Sequence, residues 1–184
     1  MIKKYFYKME IIGVFFSLVL SVVLHYTYNI SNGSVWSIMF GAVNESLWEH
    51  IKIITFPYLV WAFVEVAIAK PYFKQFVVSK IIGIYGLGVC VLIFYYAYST
   101  AIGCNILWVD ITSVVVFNVL AYVASYKITL SSVKFKIWYN FALALLFLYF
   151  CMYFWFTVSP PKNPIFLDNV TGEYGIYARS ALDF

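Results

Sequence analysis

The chain has 184 residues, 64% of them hydrophobic and only 11% charged, with a formal net charge of +4. Soluble domains carry about 45–50% apolar and about 25% charged residues, so a water-soluble core is excluded and the lipid bilayer is the expected partner. A nucleic-acid binder is excluded as well, because the lysines flank apolar runs instead of forming one basic stripe.

The first apolar run, Ile11 to Leu24, follows Lys3, Lys4 and Lys8 and continues into His25-Tyr26-Thr27-Tyr28 without a small-x-small cleavage site. It predicts an uncleaved signal-anchor helix. In chain order, spans are expected over about 9–28, 45–69, 77–98, 105–126 and 135–158, each long enough for a ~30 Å hydrocarbon core at about 1.5 Å per residue. They must be helical, since lipid offers no partner to unpaired backbone groups. The expected fold is an all-α integral membrane bundle of five transmembrane helices over 1–158, with a tail over 159–184. A short surface helix is predicted from Ser34 to Val43, with Ser34 as its N-cap. Asn44 is the expected N-cap of the second span, with Glu45 in its first turn. Pro57 is expected to kink that span, and Ser79 with Gly83 to allow close helix packing in the third.

Lysines give the orientation. Lys3, Lys4 and Lys8 precede the first span; Lys70, Lys74 and Lys80 lie at the second connection, and Lys127, Lys134 and Lys136 at the fourth. The first and third connections carry none. This alternation puts the N-terminus inside and the tail outside, with Tyr26, Tyr98, Trp108 and Trp155 as anchors at the outer interface. The cysteines, Cys90, Cys104 and Cys151, show neither a disulfide framework nor zinc-site spacing.

That topology sends His25, Asn44, Glu45, Ser46, Glu49, His50, Lys52 and Asp110 to one outer cleft. Glu65 lies near the cytoplasmic end of its helix. On a continuous helix Glu45, Glu49 and Lys52 share a face, with Glu49 able to pair with Lys52 at i,i+3. Ionisable groups inside a membrane are costly and mark function. Their depth decides between a functional cleft and a solvated interfacial face. The three carboxylates against Lys52 leave a charge of about −2, which favours a proton, a cation or an amine-bearing ligand. Histidines with carboxylates also suit a divalent transition metal; His25, Glu45, Glu49 and Asp110 form the candidate set, since the adjacent Glu49 and His50 diverge on a helix. Ser46 and His50 form a further candidate nucleophile–base pair. In the tail, Pro160, Pro161 and Pro164 end the last helix and stiffen the exit. Asp168 to Gly172 has turn chemistry. Asp168, Thr171, Gly172 and Tyr174 are therefore expected in an ordered lid over the outer mouth.

The stretch Asn44-Glu45-Ser46-Leu47-Trp48-Glu49-His50-Ile51-Lys52, with Leu24-His25-Tyr26 before it and Pro160-Pro161 and Asp168-Asn169-Val170-Thr171-Gly172-Glu173-Tyr174-Gly175 after it, resembles a family of small uncharacterised bacterial multi-pass membrane proteins. The resemblance implies a bacterial cell-membrane location and carries over no activity, cofactor or catalytic residue. A fainter likeness to alkaline-ceramidase-like membrane hydrolases lacks the His-x-x-x-His pair of that family and has too few spans. Three functions stay open: binding or transport of a small cationic ligand, proton or metal; a membrane-embedded, metal-assisted hydrolase or transferase acting on a lipid or cell-envelope substrate; and a structural or interaction subunit of a membrane complex.

Overall fold

A computed structural model describes residues 2–176 of the chain. It contains α1 (Ile2–Ile30), α2 (Val35–Phe40), α3 (Leu47–Ala69), α4 (Phe73–Ile102), α5 (Leu107–Thr129) and α6 (Tyr139–Val158), with single 3-10 turns at Phe135–Trp138 and Pro164–Phe166. No strand occurs among the described residues. Five helices, all but the short α2, are long and apolar enough to cross a membrane. Phe15, Phe63, Ile93, Phe147 and Trp155 stand exposed on the bundle surface. Exposed apolar area on this scale suits contact with lipid rather than water.

α3 and α4 form the centre. The most apolar stretches of these two helices are 56% and 50% buried, against 17–33% for the other three. α1 packs on α3 and α5, and α4 packs on α3, α5 and α6. Two helices extend beyond the spans expected from hydropathy. α1 reaches Ile30 and α4 runs from Phe73 to Ile102.

Local chemistry sets the ends. Ser34 caps α2, its hydroxyl accepting from the Ser37 N–H at 3.3 Å. α3 ends at Ala69, with Lys70 as its C-cap immediately before Pro71, which has no N–H to continue the ladder. α3 itself is one continuous helix through Pro57. Its start departs from the sequence expectation. Ser46, not Asn44, is the N-cap, its hydroxyl accepting from the Glu49 N–H at 3.3 Å. Asn44 is diverted because its Oδ1 accepts the Ser46 N–H at 2.9 Å, closing a local turn that holds residues 44–46 out of the helix. Glu45 therefore lies off the helix and not in its first turn.

Tight packing occurs where α4 crosses α3. Ser79 shares a 2.7 Å hydrogen bond with Thr129 of α5. Gly83 faces Tyr58, and a Cβ at Gly83 would collide with the Tyr58 hydroxyl oxygen. Tyr58 is fully buried, so it has little room to retreat. Gly83→Ala is expected to destabilise the bundle by about 1–3 kcal/mol through overpacking. Thermal unfolding in detergent micelles should show a lowered midpoint, partly restored when Tyr58→Phe removes the clashing oxygen from the same chain.

Candidate functional site

The segment between α2 and α3 is stitched down from both sides. The Ala42 N–H donates to the Leu24 carbonyl of α1 at 3.2 Å, one residue before His25. The Val43 N–H donates to Glu49 Oε2 at 3.0 Å. Asn44 Nδ2 donates to the Gly175 carbonyl of the tail at 3.0 Å. In the run Asn44-Glu45-Ser46-Leu47-Trp48-Glu49-His50, then, Asn44, Ser46 and Glu49 hold backbone. The side chains of Glu45 and His50 turn toward α1.

There they meet His25. His50 Nε2 lies 3.5 Å and His25 Nε2 3.9 Å from Glu45 Oε2. The imidazole centroids are 5.3 Å apart. The side chains are 25–39% exposed, so the cluster opens at the end of the bundle. One ligand atom from each residue lies within 4.8 Å of the other two. His50 Nδ1 sits 2.8 Å from the Ser46 carbonyl oxygen. A carbonyl only accepts, so Nδ1 carries a hydrogen, and Nε2 is the ring atom that faces Glu45. Hydrogen bonding at the remote nitrogen is the usual way that a metal-ligating histidine is oriented.

The other expected site residues divide differently. Glu49 and Lys52 form a buried ion pair at 2.6 Å, closed off from solvent. Lys52 also donates to Thr157 Oγ1 of α6 at 3.0 Å, and Thr157 faces Glu49 Oε1 at 3.3 Å. The Tyr153 ring centroid lies 5.5 Å from the Lys52 ammonium. Thr157 and Tyr153 were not anticipated from sequence, since no local signal announces which α6 residues face α3. Asp110 sits in the first turn of α5 and accepts a hydrogen bond from Tyr98 of α4. It does not join the histidine cluster. The Ser46 hydroxyl is committed to its cap, and His50 bonds the Ser46 carbonyl rather than that hydroxyl. With Glu49 neutralised by Lys52, Glu45 supplies the charge at the notch.

The tail packs at the same end. Phe166 packs at a tilt against Trp48 of α3 and edge-on against Phe156 of α6, with ring centroids at 5.4 and 5.1 Å. Asp168 is fully buried. Its Oδ1 accepts from the Val170 N–H at 2.8 Å, and its carbonyl accepts from Gly172 at 2.9 Å. Gly172 adopts φ +75°, which suits glycine at this turn. An antiparallel bridge, Leu167 to Tyr174, closes the loop, and the Thr171 hydroxyl accepts from Glu173. Asp168, Thr171, Gly172 and Tyr174 thus build the tail's own turn, while Asn44 and Trp48 bind that turn to the start of α3.

The architecture defines a multi-helix protein of membrane-spanning composition with a His–Glu–His notch at one end. The chain belongs to a family of unknown function, DUF6512, which it matches over residues 2–176. No curated protein and no solved structure matches it.

The buried pair yields a prediction that separates charge from packing. Glu49→Gln or Lys52→Met alone strands one buried charge and is expected to cost about 3–5 kcal/mol. The double substitution should cost clearly less than the sum of the two. A double-mutant cycle of thermal or denaturant unfolding measures the difference.

Proposed function

We propose that this protein is a multi-pass protein of the bacterial cell membrane that binds a divalent transition-metal ion at the outer end of its bundle, through His25, Glu45 and His50. The observation that carries the reading is the convergence of two imidazoles and one carboxylate from α1, the 41–46 segment and α3, with ligand atoms within 4.8 Å of one another. Two nitrogens and one carboxylate oxygen suit zinc or a first-row neighbour. The bonds that hold Ala42 to α1, Val43 to Glu49 and Asn44 to the tail pre-set Glu45 against His25. The tail acts as a cover whose contacts with Asn44 and Trp48 limit approach to the notch. This reading narrows the acidic cleft expected from sequence to one three-residue notch.

Metal analysis of protein purified without chelators should find about one divalent ion per chain. His25→Ala, His50→Ala and Glu45→Gln should each reduce it to background, whereas Asp110→Asn should retain it. Zinc titration that finds equal binding in the wild type and in all three ligand variants would overturn the proposal.

The orientation rests on Lys70, Lys74, Lys127, Lys134 and Lys136, which lie at the end of the bundle opposite the tail. A cysteine at Lys162 in a chain otherwise free of cysteine is expected to react with an impermeant maleimide added to intact cells. Labelling only after lysis would place the tail inside and reverse the model of access. A second reading, a metal-assisted hydrolase of lipid or envelope substrates, is favoured by one feature: three protein ligands leave a coordination position for water. Metal-dependent ester or amide hydrolysis lost in His50→Ala would select it.

A further inference from the structure

The end of the bundle remote from the histidine notch holds a second charged group. Glu10 of α1, Glu65 of α3 and Lys80 of α4 meet there, only 4%, 0% and 2% exposed. Lys80 Nζ lies 3.0 Å from Glu10 Oε2 and 2.5 Å from Glu65 Oε2. Ser125 of α5 donates to Glu10 Oε1 at 2.8 Å. The ammonium also faces the rings of Tyr58, Phe76 and Tyr122, with centroids at 5.0, 5.3 and 5.0 Å. The groups that face the two carboxylates from the four helices are Lys80, Ser125, Tyr58, Tyr122 and Trp61. Of these, Lys80 is the one cation. The Trp61 N–H is committed to the Met9 carbonyl at 2.9 Å.

This inventory is one positive charge short. Two carboxylates and one ammonium leave −1 in an apolar surround, where an uncompensated charge costs several kcal/mol even after relaxation. Two carboxylates that share one small site do not both ionise readily. Glu65 Oε1 is buried and receives no hydrogen bond among the described residues, so Lys80, shared with Glu10, is the one cation that faces this carboxylate. Lys80 already stands between the carboxylates and occupies the place that a metal ion would take.

We propose that the Glu10–Lys80–Glu65 triad is a proton-binding site, in which the two carboxylates share one proton while Lys80 stays charged. The proton joins a carboxylate oxygen and brings the triad to neutrality. The site is independent of the histidine notch: it lies at the other end of the bundle and shares no residue with it.

Infrared spectroscopy of the full-length protein in lipid tests this by counting protons. At neutral pH the wild type should show the C=O stretch of a buried carboxylic acid, shifting down in D2O. Glu10→Gln and Glu65→Gln each leave one carboxylate with one ammonium, so either should abolish that band. Both variants keep a neutral pair and are expected to fold. Lys80→Gln leaves two carboxylates with no cation, so the band should grow about twofold. The proposal fails if the wild type lacks the band, if the band survives in both glutamine variants, or if Lys80→Gln leaves its area unchanged.

Discussion

Every charge carried into an apolar bundle must find a partner there, and α3 is where that constraint falls hardest. Glu49, Lys52, Thr55, Tyr58 and Glu65 all project from this helix and engage residues on several of its neighbours. Thr157 of α6 takes Lys52, and Tyr149 of α6 bonds Thr55 at 3.1 Å. The Ala121 carbonyl of α5 receives Tyr58, and Lys80 of α4 pairs with Glu65. Because Glu49, Lys52, Thr55 and Tyr58 advance by three residues rather than 3.6, the stripe winds back by about 60° at each step. Glu49 looks toward α6, while Tyr58 looks toward α5 on the far side. One helix thereby fastens the others around itself.

Hydropathy alone was enough to find five long apolar helices, because apolar runs of bilayer length are rare in chains that fold in water. Ser34 as the cap of α2 was equally legible, since capping is a local event. The start of α3 was not. Asn44 and Ser46 are both good caps, and the choice between them depends on Asn44 closing its own turn and reaching Gly175, 131 residues away. That two-residue shift takes Glu45 off the helical face it was expected to share with Glu49. It explains why the structure groups Glu45 with His25 and His50, leaving Glu49 to Lys52.

Lys80 illustrates a different difficulty. By position it reads as one more basic residue flanking a span, alongside Lys70 and Lys74. Its side chain instead turns inward, and the signal that it does so lies in two acids on other helices, Glu10 and Glu65. Each lies near the end of its own span, and nothing in either segment announces their meeting. Pairing of this kind depends on helix rotation and neighbour choice, which periodicity within a single segment does not report. The inward turn also leaves Lys70 and Lys74 to carry the orientation signal at that connection.

Four buried tyrosines have a consequence for how the helices are held. Tyr58, Tyr122, Tyr149 and Tyr153 are all at most 7% exposed. Tyr58 and Tyr122 contact each other with ring centroids 4.6 Å apart, and Tyr149 and Tyr153 at 5.7 Å. Each hydroxyl reaches another element: Tyr58 the Ala121 carbonyl of α5, Tyr122 Ser17 of α1, Tyr149 Thr55 of α3 and Tyr153 the Phe40 carbonyl of α2. A phenol thus serves twice, filling the core with its ring and pinning a neighbouring segment with its oxygen.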